Sequence, residues 1–209
     1  MPAPEPGERW GILGGAFDPV HNGHLALAQN IKQLRRLDGI LLVPTVDPPH
    51  RTQSPVAPYR DRFTMTQLAA AKLMGLEVSG IEETTGRPSY TLETVRHFHR
   101  QFPQIQLYWL IGADSLSELV GWYHIEQLAD ECQIVTAARP GYNPRELQTL
   151  KSILSESQIQ RLRQNILETP QVDISATRIR RRIQNNQSIS YLTPSAVIDY
   201  IKHRNLYTE

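Results

Sequence analysis

Short apolar runs alternate with longer amphipathic stretches along most of the chain. The apolar runs fall at residues 10–13, 40–43, 76–78, 106–111 and 133–137. Stretches of helical period lie between them at 25–37, 60–73, 90–102, 115–120 and 125–130. Strands separated in this way by helices predict an α/β fold, a Rossmann-like, doubly wound and mostly parallel sheet of about five to six strands. Beyond residue 137 the pattern turns helical. Residues 144–165, rich in Gln, Leu, Ser and Arg, read as one or two surface helices, 175–185 and 195–202 as closing helices, and 166–168 or 172–174 as a late strand. Residues 1–8 carry three prolines and two glutamates with no periodicity. They are expected to be a disordered tail ahead of a single domain spanning 9–207, whose helical C-terminal part begins near 144.

Composition narrows the class. The chain has 209 residues, 22 Lys+Arg against 21 Asp+Glu and a formal net charge of +1, so attraction to a polyanion would need a local patch. A dedicated nucleic-acid or membrane-surface binder is not expected. No apolar run approaches the roughly 18 residues that span a bilayer. The lone Cys132 cannot form an intrachain disulfide, and the first residues have neither the basic nor the apolar region of a secretion signal. A reducing, cytoplasmic location is the expectation; oligomeric state is not legible.

Chemistry concentrates after the first predicted strand, in Gly14-Gly15-Ala16-Phe17-Asp18-Pro19-Val20-His21-Asn22-Gly23-His24. Glycines let a backbone approach a ligand closely, and the free N–H groups at a helix start attract anions. In an open parallel sheet such a loop lies at the carboxyl ends of the strands, where ligands bind. A phosphorylated ligand follows. No Gly-Lys-Ser/Thr follows the glycines, and Gly11, Gly14 and Gly15 lack the dinucleotide spacing. His21 and His24 fall in the first turn of a helix, on one face. They read as metal ligands, as capping or core residues, or as phosphate ligands. The first needs partners the sequence lacks, since Cys132 is over 100 residues away and there is no His-Glu-x-x-His; the glycine loop favours the third.

With these residues in view, 14–25 resembles the signature of the nucleotidyltransferases that carry His-x-Gly-His. It is most similar to the bacterial nicotinate-nucleotide adenylyltransferases, with Ala16 where a Thr is usual. Further motifs extend the resemblance from about residue 10 to 207. Pro48-Pro49-His50-Arg51 reads alone as a rigid surface loop, and Ser89 before Tyr90-Thr91 as a helix N-cap. Gly112-Ala113-Asp114 ends a strand ahead of Trp122-Tyr123, where a carboxylate can accept from ribose and an indole can stack on a planar ring. Arg139-Pro140-Gly141-Tyr142 follows the next strand. Ser175-Ala176-Thr177-Arg178-Ile179-Arg180 opens a basic helix whose N–H groups, hydroxyls and guanidinium can clamp a triphosphate.

The resemblance implies an enzyme that joins ATP to nicotinate mononucleotide, giving deamido-NAD and pyrophosphate. It assigns Gly14, Gly15, Ala16, Phe17, His21, His24, Ser175, Thr177 and Arg180 to ATP, with His21, His24 and Arg180 as the catalytic groups. It assigns His50, Arg51, Thr91, Asp114, Trp122, Tyr123 and Arg139 to the mononucleotide. Mg²⁺ is expected on the ATP phosphates, with no protein metal cage. Nicotinamide mononucleotide as acceptor, and a non-catalytic nucleotide sensor on the same fold, are the alternatives.

Overall fold

Six strands, all parallel, lie in the order β3-β2-β1-β4-β5-β6 in a computed structural model that describes residues 4–47, 55–83, 88–170 and 172–208. They are β1 (Arg9–Gly15), β2 (Gly39–Pro44), β3 (Leu76–Val78), β4 (Gln106–Gly112), β5 (Gln133–Ala138) and β6 (Ile166–Glu168). The helices are α1 (Asn22–Arg35), α2 (Tyr59–Ala70), α3 (Thr91–Gln101), α4 (Ile125–Glu131), α5 (Leu147–Leu150), α6 (Glu156–Gln164), α7 (Ala176–Gln184) and α8 (Ser195–His203).

The strands are apolar throughout because both faces of the sheet are covered. Alternate residues of each strand enter opposite cores. Ile40, Leu42, Tyr108, Leu110 and Val135 meet α1, α2, α7 and α8 on one side. Leu41, Val43, Leu107, Trp109, Ile111 and Ile134 meet α3, α4, α5 and α6 on the other. The first two helices thus cover one face and the next four the second, and the chain then returns to the first face with α7 and α8. The change of direction falls between β1 and β4, the switch point where doubly wound sheets open a crevice.

Several expectations shift in detail. The late strand is 166–168; 172–174 carries no strand. The 144–165 region is not a purely surface feature, since Leu147, Leu150, Ile159 and Leu162 are buried and complete the second core. The short helical stretch at 115–120 is two 3₁₀ turns, Ala113–Leu116 and Glu118–Gly121. Near the N-terminus Gly7 N–H donates to Gln104 O at 2.9 Å, and Gln106 N–H to Glu8 O at 2.8 Å, so the backbone is tied to the sheet before β1 begins.

The return of the last elements places the end of the chain over its beginning. Asn22 N–H donates to Leu192 O at 2.9 Å and its side chain to Tyr191 O at 3.1 Å. The buried Thr193 hydroxyl donates to Val20 O at 2.8 Å. The loop between β1 and α1 is therefore closed from above by residues from the last tenth of the sequence.

Candidate active site

Two cavities, each about 430 Å³, open at the carboxyl ends of β1, β4 and β5. The first is walled by Gly14, Gly15, Ala16 and Phe17 after β1, by His24 on α1, and by Thr91 and Trp122 opposite. The second is walled by Asp114 after β4, Arg139 after β5 and Ser175 before α7. Leu27 and Gly112 line both. A larger groove of about 630 Å³ lies between α7, α8 and the C-terminus; among the described residues Lys202 is its one charged lining group.

The two histidines are built as a unit. Their rings stack at 3.6 Å between centroids and 20° between planes. His21 N–H donates to His24 Nδ1 at 3.2 Å. An imidazole nitrogen that accepts is unprotonated, so the neutral His24 ring carries its proton on Nε2. Gly23 is what lets the pair sit this way, because a Cβ there would stand 3.0 Å from His21 Nδ1 and 3.1 Å from Cε1. His21 is only 6% exposed and lies behind His24, and burial pulls its pKa down to about 4. It is a neutral ring at pH 7. Phe17 meets the edge of His24 at 4.9 Å. Gly14 is needed as well, since a Cβ would come within 2.8 Å of the Trp109 ring.

Around this loop the helix termini supply donors. Ser175 caps α7, its hydroxyl accepting from Arg178 N–H at 3.2 Å. Arg180 Nη2 donates to Thr177 Oγ1 at 3.3 Å, while Nη1 donates to Asp18 O at 2.7 Å. Arg178, which the sequence reading left out, pairs at the surface with Asp173 at 3.4 Å.

Ser89 does not cap α3, whose N-cap is Tyr90. Its hydroxyl accepts from Asp47 N–H at 3.2 Å, because the chain ahead of α3 folds back onto the end of β2. Tyr90 stacks on Tyr123 at 4.3 Å, joining the segments that carry Thr91 and Trp122. Asp114 and Arg139, expected on the mononucleotide, share the second cavity with Ser175 rather than the first with Thr91 and Trp122. His50 and Arg51 lie outside the described residues.

Three buried charged groups here escaped sequence reasoning. Glu82 lines the first cavity, accepts from Val46 N–H and the Thr94 hydroxyl, and is pushed above the usual carboxylate range by burial. Beside Glu83 nothing in the sequence distinguishes it. Arg62, 2% exposed, donates to Ala57 O, Ala16 O and Thr45 O at 3.1, 2.6 and 2.8 Å. Asp18, 3% exposed, stands within the quoted loop motif, which gave no hint of how many partners it gathers.

Comparison with known proteins bears on this arrangement. Residues 12–182 match the cytidylyltransferase-like family. The chain is 39% identical to a probable nicotinate-nucleotide adenylyltransferase of Moorella thermoacetica, over 95% of this chain and 91% of that one. It is 39% identical to proteins of the same description from Synechococcus sp. JA-3-3Ab, over the full length of both, and from Thermus thermophilus, over 95% and 99%. Among solved structures it superposes on a Plasmodium falciparum nicotinic acid mononucleotide adenylyltransferase complexed with APC, with a TM-score of 0.73 and 18% identity, covering 96% and 97% of the two chains. At that identity the likeness speaks for the fold.

Proposed function

The chain belongs to the nicotinate-nucleotide adenylyltransferase family, and from that premise we infer how it moves the adenylyl group of ATP onto nicotinate mononucleotide, forming deamido-NAD and pyrophosphate. The observation that carries the reading is the pair of cavities meeting at Leu27 and Gly112, with His24 on the wall of one and Gly23 on the wall of the other. One holds each substrate. Thr91 and the Trp122 indole suit the pyridine ring in the first. Asp114 on ribose, with Arg139 beside it, suits the adenosine half of ATP in the second, and the Ser175 end of α7 on the same wall suits its phosphates. Asp114 and Arg139, which the resemblance assigns to the mononucleotide, are proposed on the ATP side, where they share a wall with Ser175.

The nucleophile is the acceptor's own 5′-phosphate, already anionic at neutral pH, so no protein base is required. The protein's part is alignment and charge neutralisation. His24, its proton fixed on Nε2 by the His21 N–H, donates to an α-phosphate oxygen as negative charge gathers there. Thr177, Arg180 and the free N–H groups of α7 hold the leaving pyrophosphate. Family members take ATP with a divalent cation; Mg²⁺ bound to ATP is proposed as the form of the substrate. Asp18, the carboxylate within the loop, accepts from two backbone amides and a tyrosine, which suits a structural anchor better than a metal ligand. No helix among the described residues is long and apolar enough to cross a membrane, and the unpaired Cys132 supports a cytoplasmic enzyme.

The test is pyrophosphate release with ATP and Mg²⁺, with nicotinate or nicotinamide mononucleotide at equal concentration. The acid is expected to be preferred. His24→Ala should lower kcat by about 10²–10³, far more than the roughly 1 kcal/mol of stability lost with the His21 N–H bond would account for. Release with neither acceptor would remove the transferase reading and leave the sensor; preference for the amide would change the acceptor alone.

A further inference from the structure

We propose that Tyr207, at the far end of the chain, is a positioning residue for the triphosphate clamp: its hydroxyl fixes Asp18, and Asp18 sets the orientation of Arg180. The proposal rests on the reading of Arg180 as an ATP-phosphate ligand.

Asp18 is held from three directions. Its Oδ2 accepts from Val56 N–H at 2.7 Å, and its Oδ1 from Ala57 N–H at 3.1 Å and from the Tyr207 hydroxyl at 2.8 Å. Arg180 Nη1 approaches the same residue, bonding its main-chain oxygen at 2.7 Å and standing 3.7 Å from Oδ2. A buried carboxylate free to rotate would draw the guanidinium into a full bidentate pair and take up the donors that a phosphate needs. Pinned by two amides and a phenol, it stops short of that. Arg180 is thereby oriented by a neutral carbonyl and keeps most of its charge for the ligand.

Tyr207 is suited to this task. Its ring is 6% exposed and packed in the core that α7 and α8 complete. Burial, first, and the Asp18 charge, second, push its pKa well above the tyrosine range, so it remains a donor. The backbone there is left-handed, with φ of 64° at Tyr207 and 49° at Asn205. An L-residue with a Cβ is strained in that region by roughly 1 kcal/mol, and such strain persists only where the surroundings impose it. Here the residue so held is the one whose hydroxyl reaches Asp18.

The molecule contains its own control. Tyr200 donates to the buried Asp61 at 2.8 Å, the same bond at the same length, and Asp61 also accepts from Arg204 at 3.1 Å. That network ties α8 to α2 without touching Arg180. Tyr207→Phe and Tyr200→Phe each delete one phenol-to-carboxylate bond, and both are compared with the parent by melting temperature, ATP binding in a titration calorimeter, and steady-state kinetics. Both variants should melt a few degrees lower. Only Tyr207→Phe should weaken ATP, raising its Kd about tenfold and lowering kcat/KM for ATP by a similar factor, with KM for the mononucleotide within about twofold. Equal ATP affinity in the two variants, whether both unchanged or both reduced, overturns the proposal. A parent protein that binds ATP yet releases no pyrophosphate would sink the transferase reading instead, and the Kd comparison would still decide the wiring.

Discussion

At the scale of single residues, burial decides which groups carry charge. His21 keeps a neutral ring because the folded protein withholds water from it, with a pKa of about 4 against an ordinary 6.5. Between those two values the unfolded chain binds a proton that the folded chain does not, so unfolding is favoured as pH falls. The stability owed to the neutral ring is fully present above pH 6.5 and is lost on descending toward 4, a window worth up to about 3 kcal/mol. Carboxylates also titrate there, so the check is a difference: His21→Gln should show a shallower fall in melting temperature than the parent between pH 6.5 and 4. Parallel curves would mean that His21 is not held neutral. Cys132 shows the same effect with the opposite sign, since burial pushes its thiol up to about 12 and leaves it unreactive in the folded state.

At the scale of elements, the helix termini join stability to binding. Ser175→Ala removes the α7 cap and should cost about 1 kcal/mol in urea unfolding, while KM for ATP rises more than KM for the mononucleotide. Equal rises would place Ser175 away from the ATP half. Elements were also what the sequence showed best. Period and alternation placed the strands within a residue or two, because a parallel sheet covered on both faces needs continuous apolar runs such as 107–111; only the late strand had a rival, 172–174 looking as apolar as 166–168. The β1–α1 loop was legible for a related reason, since its glycines mark crowded positions: a Cβ would stand 2.8 Å from the Trp109 ring at 14 and 3.0 Å from His21 Nδ1 at 23. Asp114 and Arg139 were harder to place. Each stands at a strand end, but only the order of strands in space decides which cavity a strand end faces. Ser89 has the sequence setting of a cap, yet its partner is Asp47 N–H, 42 residues away, a pairing that only the fold creates.

For the whole molecule, the site is a junction of distant segments rather than a property of one motif. Arg62 shows this most plainly, since its guanidinium holds carbonyls of the first loop, the end of β2 and the approach to α2. Arg62→Met should destabilise the fold by about 3 kcal/mol or more, because three oxygens lose their donor at once, and ATP affinity should fall with it. A variant that melts like the parent would show those contacts to be dispensable. The contacts of Val20 and Asn22 with Leu192 and Thr193 reach further still, because a ribosome makes the two ends at different times. At roughly 5–20 residues per second, the loop waits about ten seconds or more for the segment that closes it. A nascent chain can therefore assemble most of its sheet while the loop between β1 and α1 still lacks these bonds. A chain stalled or clipped ahead of residue 191 lacks Leu192 and Thr193, and with them the bonds that fix the loop at Val20 and Asn22.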